Sequence, residues 1–142
     1  MKVYLDNCCF NRPFDDQTQL KIKLETDAKL FVQQQILVGE YQLVWSYILS
    51  YENAQNPFEE RSRSVAAWEE IASENLTETP EILAHARRLI ASGIKQKDAL
   101  HIACAAESAC DYFITTDRRL LSTIELGVKI VNPIDFIQEI EV

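Results

Sequence analysis

Four carboxylates, Asp6, Glu52, Asp98 and Asp117, are the residues of this sequence whose type and placement point most directly to chemistry. Each falls at or just after a strand-like segment or near the start of a helix-like one. Two carboxylates about 5 Å apart repel by roughly 3 kcal/mol at an effective dielectric of 20, so acids gathered in one place either raise their pKa values or hold cations. Oxygen donors of this kind select hard dications such as Mg²⁺ or Mn²⁺. Taken one at a time, the acids have ordinary explanations. Asp98 suits the cap of its own helix, and Asp117 suits the cap of a turn beginning at Arg118. With 22 acidic residues in 142, some fall near strand ends by chance.

Other chemistries find little support. The sequence has no G-x-S-x-G elbow, no G-x-x-x-x-G-K-[ST] loop and no G-x-G-x-x-G loop. A phosphoaspartyl enzyme would want a second acid two residues after Asp6, where Cys8 stands, and a receiver domain would want its acceptor Asp at a strand end, whereas Glu52 reads as helical. Cys8, Cys9, Cys104 and Cys110 form neither a C-x-x-C pair nor a zinc spacing, and they read as reduced core residues. His101 lies one turn after Asp98 in an alanine-rich segment and reads as a hydrogen-bonded core residue rather than a ligand; His85 has no partner motif. Trp45, Trp68 and Tyr47 read as core anchors, with no interleaved aromatic and basic stripe to mark a stacking platform. Arg12, Lys95, Lys97, Arg118 and Arg119 flank the acids in sequence, which fits either a cationic rim around an anionic pit or ordinary surface pairing. Arg118 and Arg12 are the candidates for substrate contact.

The elements that would position these groups alternate. Lys2 to Leu5 is a buried strand. Thr18 to Val38 carries an amphipathic stripe stopped by Gly39, and Gln42 to Trp45 is a second strand. Ser46 caps a helix through Ala54 that bears Glu52; Pro57 opens a helix to about Ser73; Pro80 to Ser92 is another, ended by Gly93. Asp98 to Ala109 is apolar nearly all round, as a central buried helix would be. Asp111 to Thr115 and Val128 to Val131 are strands, and Ile134 to Ile140 is a closing helix. Strands alternating with helices imply an α/β domain, a three-layer α/β/α sandwich around a parallel sheet, with ligands beyond the carboxyl ends of the strands. The length suits one domain over residues 1–142.

Whole-chain figures set the outer limits. A net charge of −8 excludes binding through a broad basic face, though not an enzyme acting on nucleic acid. Only seven Gly and Pro residues argue against a turn-rich β-sandwich. No apolar run approaches the roughly 18 to 20 residues a membrane span needs, and no leader pattern opens the chain. The expectation is a soluble, cytoplasmic protein without membrane contact.

Five motifs, in order, carry a resemblance: Tyr4-Leu5-Asp6-Asn7, Ser50-Tyr51-Glu52, Lys97-Asp98-Ala99-Leu100-His101-Ile102-Ala103, Tyr112-Phe113-Ile114-Thr115-Thr116-Asp117-Arg118-Arg119-Leu120-Leu121, and Val131-Asn132-Pro133-Ile134-Asp135-Phe136. Together they resemble the PIN domain over the whole chain, and the third and fourth are the more specific. The resemblance implies a ribonuclease fold in which Asp6, Glu52, Asp98 and Asp117 are catalytic and hold one or two Mg²⁺ or Mn²⁺ ions, the first three on the principal ion and Asp117 on a second ion or an outer water. It implies products with 5′-phosphate and 3′-hydroxyl ends. Many small members are VapC-type toxins, so an RNA substrate, a small antitoxin and a homodimer are the implied partners. Supporting roles fall to Asn7, which would orient Asp6 or a water, and to Thr116. The chain departs from the pattern at Asn7-Cys8-Cys9, where Ser or Thr often follows the first acid, and at Arg119, where many members have a further acid. The alternative is a catalytically weak PIN-like module that binds RNA or protein.

Overall fold

A computed structural model describes residues 1–121 and 127–141. Five strands form one sheet: β1 (Lys2–Leu5), β2 (Gln42–Ser46), β3 (Glu74–Leu76), β4 (Tyr112–Ile114) and β5 (Lys129–Val131). Their order is β3-β2-β1-β4-β5, and every neighbouring pair is parallel. Parallel neighbours need crossovers, which contain helices α1 (Asn7–Asn11), α2 (Leu20–Leu37), α3 (Tyr47–Ala54), α4 (Glu59–Ile71), α5 (Pro80–Ala91), α6 (Gln96–Glu107) and α7 (Arg118–Leu121), with a short 3₁₀ turn at Arg12–Phe14; α8 (Pro133–Ile140) follows the last strand. This is the expected α/β sheet with helices around it. Among the described residues, no helix is long and apolar enough to cross a membrane.

The middle strands are buried on both faces, and their residues show it: Val3, Tyr4, Leu5, Val44, Phe113 and Ile114 are all sealed from solvent. Helix α6 packs closely against them because Ala99, Ala103 and Ala105 have little side chain to hold it away. From β1 the chain proceeds to β2 and β3 on one side and later returns to β4 and β5 on the other. β1 is therefore the switch point of the sheet, where loops diverge and leave a crevice beyond the strand ends. Asp6 is the first residue past β1.

Several expectations need correction. The strand Glu74–Leu76 was not foreseen, because Glu-Asn-Leu is short, polar and at the sheet edge, where burial leaves no pattern. Helix α1 was not foreseen either; five residues are too few for a periodic stripe. Pro57 lies outside α4, which begins at Glu59 after Phe58. Asp98 does not cap its helix: α6 starts two residues earlier, after Lys95, so Asp98 sits in the first turn. That replaces the capping explanation for its position with the weaker favour that a helix N-terminus gives any first-turn acid.

Candidate functional site

Asp6 is fixed before anything binds it. It caps α1 in extended backbone geometry, and its Oδ1 accepts the Asn7 backbone N–H at 2.8 Å. Its Oδ2 accepts the Thr115 hydroxyl at 2.8 Å and the Cys8 thiol at 3.5 Å. The β1–β4 register brings Thr115 there: Leu5 faces Ile114, so the next residues along, Asp6 and Thr115, lie side by side. Thr115 Oγ1 also accepts the Asp117 backbone N–H at 3.0 Å, so one buried hydroxyl braces the loops that carry two of the acids.

Glu52 is held from the opposite side. Ser46 ends β2 and caps α3 by accepting the Leu49 N–H, which sets the helix so that Glu52 faces His101. His101 is buried; its Nε2 bonds to the Glu52 carboxylate, and its Nδ1 pairs with the Tyr4 hydroxyl at 2.6 Å, which in turn pairs with Ser46 Oγ at 2.6 Å. A carboxylate can only accept, so Nε2 donates and a neutral ring leaves Nδ1 to accept from Tyr4. Burial alone would lower the His101 pKa, but the hydrogen bond to Glu52 and the charges of Asp6, Glu52 and Asp98 raise it overall. Nε2 is also 3.9 Å from Asp6 Oδ1.

Asp98 and Asp117 close the ring. Asp98 is half-buried, and its pKa is raised first by burial and then by the charges of Asp6 and Asp117. Asp117 is held below the usual range by its hydrogen bonds to Arg119, whose guanidinium reaches Oδ2 at 2.8 Å and Oδ1 at 3.2 Å. The Arg119 backbone N–H adds a third bond at 2.9 Å, the cap expected of Asp117.

All four acids line one open cavity of about 390 Å³ at the carboxyl edge of the sheet, with Asn7, Cys8 and Arg119 on its wall. One ligand atom each from Asp6, Glu52 and His101 lie within 4.8 Å of one another. The donors are mostly hard oxygens, and the charges of Asp6 and Asp117 add to burial in raising the Asp98 pKa. Both suit a dication of the Mg²⁺ or Mn²⁺ type.

The remaining candidates sort differently. Arg12 does not line the cavity; its guanidinium bonds to buried Glu25 at 2.9 and 3.1 Å and to Asp15 at 2.9 Å, so it serves the scaffold. Arg118 is exposed and also outside the lining, whereas Arg119 is part of it. Asn7 holds Asp6 through its backbone, while its side chain accepts from Asn11. Thr116 is buried and donates its backbone N–H to Cys8 Sγ at 3.4 Å; the hydroxyl on Asp6 belongs to Thr115. All four cysteines are free, as expected, but Cys8 is more than filling because it touches Asp6. The sequence points to no role for Thr115; it offers Arg119 as a rim cation but not its pairing with Asp117, and His101 as a bonded core residue but not Glu52 as its partner. The spacing of His101 three residues after Asp98 was the available signal.

Two solved structures share this architecture. VapBC2 from Rickettsia felis, bound to a DNA fragment from its promoter, superposes with a TM-score of 0.60 at 12% identity, covering 93% of this chain and 98% of that one. VapBC-1 from nontypeable Haemophilus influenzae gives 0.63 at 17% identity, covering 94% and 98%. At such identities the likeness is one of fold. No curated protein matches by sequence. The profile of one family, the PIN domain, matches residues 3–125, a span that includes all four acids and the strands and helices that carry them; the chain therefore belongs to the PIN domain family.

Proposed function

We propose that this protein is an Mg²⁺- or Mn²⁺-dependent endoribonuclease and the toxin of a toxin-antitoxin pair. The observation that carries the reading is the convergence of Asp6, Glu52, Asp98 and Asp117, from four separate segments, on one cavity. Asp6, Glu52 and Asp98 would hold the principal ion, and Asp117 a second ion or an ordered water. Such ions, when bound, supply positive charge to the phosphate and lower the pKa of water. The chain's own residues do the rest. Thr115 and the Asn7 N–H orient Asp6, His101 orients Glu52, and Arg119 sets a cation on the wall where a phosphate would approach. Hydrolysis would leave 5′-phosphate and 3′-hydroxyl ends.

The fold it shares with the VapBC proteins supports a small antitoxin partner. So does α2, which leaves Leu20, Leu24 and Phe31 exposed, an apolar face that a hydrophobic segment could cover. Homodimerisation and a cytoplasmic location belong to the same proposal.

One observation favours a second reading, a PIN-like binding module with weak or no catalysis. Arg119 already neutralises Asp117, doing without metal part of what an ion would do. Mn²⁺ titration separates the two, since a ligand that binds only the folded state raises its melting temperature. The nuclease reading expects a rise in melting temperature and metal-dependent cutting of RNA, with cutting lost in a folded Asp98→Asn variant. An unmoved melting temperature with intact RNA would leave the module. Cutting by Asp98→Asn at the parental rate would remove Asp98 from the site.

A further inference from the structure

A second cavity, of about 290 Å³, is lined mainly by α3 and α6, the helices that carry Glu52 and Asp98. Its walls include Tyr47, Ile48 and Tyr51 from α3, Gln96, Lys97 and Leu100 from α6, and Glu78 from the loop before α5. Tyr51 immediately precedes Glu52, and Lys97 immediately precedes Asp98, so the residues that line this cavity are chain neighbours of two of the acids. Tyr51 is 53% exposed, and Lys97 Nζ stands over its ring, 5.5 Å from the centroid. Tyr47 contributes a buried hydroxyl with no hydrogen-bond partner among the described residues. No local stretch of sequence shows this pairing, because Tyr51 and Lys97 lie more than forty residues apart in the chain.

We propose that this cavity is a nucleotide subsite: a base of single-stranded RNA next to the scissile phosphate stacks on Tyr51, and Lys97 meets the backbone phosphate. The inference rests on the nuclease reading and names how that site grips its substrate. A nucleobase is flat, with apolar faces and polar edges, and the cavity matches it part by part. Ile48 and Leu100 offer apolar surface, Tyr51 a ring face, the Gln96 amide both a donor and an acceptor, and Glu78 an acceptor for an exocyclic amine. A purely aliphatic occupant would leave the Gln96 and Glu78 groups without use. Stacking tolerates any base, so the subsite would give affinity first and selectivity only through the edge contacts.

The test uses labelled single-stranded RNA with the full chain. Binding is read by anisotropy in an Asp98→Asn background, and steady-state cleavage is read with Asp98 restored. Tyr51→Ala is expected to weaken RNA binding roughly tenfold or more and to raise KM with a smaller change in kcat, while Tyr51→Phe, which keeps the ring, restores binding. Unfolding curves confirm that both variants fold; Tyr51 is half exposed, so neither should melt early. If Tyr51→Ala binds and cuts RNA as the parent does, the subsite is overturned while the nuclease reading stands. If the parent cuts nothing yet Tyr51→Ala still loses RNA affinity, the stacking contact at Tyr51 stands as an RNA-binding site while the nuclease reading, and with it the scissile phosphate, falls. If light scattering shows that Tyr51→Ala turns a dimer into a monomer, the surface is an interface between copies, and the subsite is overturned.

Discussion

At the scale of residues, the site is a set of acids whose positions are decided by neighbours that are not acids. Glu52 has a flexible stem, and His101 fixes it through a chain that runs back to Tyr4 and Ser46 in the sheet. Truncating the ring removes the partner of Glu52 and the imidazole that Tyr4 bonds to. His101→Ala is therefore expected to cost about 2 kcal/mol of stability, measured by urea unfolding. Mn²⁺ affinity, measured by calorimetry on the folded variant, is expected to fall roughly 10- to 100-fold, as supporting contacts usually dictate. A variant that binds Mn²⁺ like the parent would show that Glu52 needs no such support. The acids themselves were legible in the sequence because carboxylates at strand ends are conspicuous against apolar strands. Thr115 was not, because its value depends on β1 and β4 being neighbours, which no local pattern encodes. Arg119 reads from the sequence as a rim cation and a missing acid; its pairing with Asp117 depends on the geometry of the α7 cap.

At the scale of elements, the carboxyl edge keeps its shape only if α1, the 3₁₀ turn and α2 stay clamped to the rest. Glu25 does this from the middle of α2. It is fully buried, accepts from Arg12 on the 3₁₀ turn, and accepts from Asn132, which itself caps α8 through the Ile134 N–H. One carboxylate thus joins the 3₁₀ turn and α2, consecutive in the chain, to the cap of α8, 107 residues from Glu25. Removing one partner of a buried ion pair leaves an uncompensated charge, so Arg12→Ala is expected to cost about 3 kcal/mol in urea unfolding. RNA affinity of the folded variant should stay at the parental value, because the guanidinium is already committed and lies outside the cavity lining. A selective loss of RNA binding at unchanged stability would return Arg12 to the substrate role that its sequence position suggests. The long helices and the four more apolar strands were legible from periodicity and from stops such as Gly39 and Gly93. The pieces that were not, β3 and α1, are those whose form is imposed by tertiary neighbours: β3 by pairing with β2, and α1 by its Asp6 cap.

At the scale of the whole molecule, an acidic protein that handles RNA has to do so with few cations. The chain carries 14 basic residues against 22 acidic ones, and Arg12 is committed to the Glu25 clamp, while Lys2 pairs with Glu74 and Arg63 with Glu59. Those that flank the acids in sequence are Lys95, Lys97, Arg118 and Arg119, and Arg119 already shares its charge with Asp117. Each phosphate contact on a single strand contributes a slope of about −0.7 to the dependence of log affinity on log salt. Three contacts would give a slope near −2, so RNA affinity should fall only about 16-fold between 50 and 200 mM salt, far less than for proteins with a broad basic face. The remaining binding energy must come from dications in the acid cavity and from base stacking, neither of which is screened in the same way. Removing dications with a chelator should therefore weaken RNA binding more than quadrupling the salt does, because the carboxylates of Asp6, Glu52 and Asp98 would then face the phosphate with no cation between them. Anisotropy titrations across a salt series, with and without Mn²⁺, measure both effects. A slope steeper than about −4, unaffected by the chelator, would mean that the RNA is held on a cationic surface away from these acids, and that the cavity at the carboxyl edge of the sheet does not govern binding.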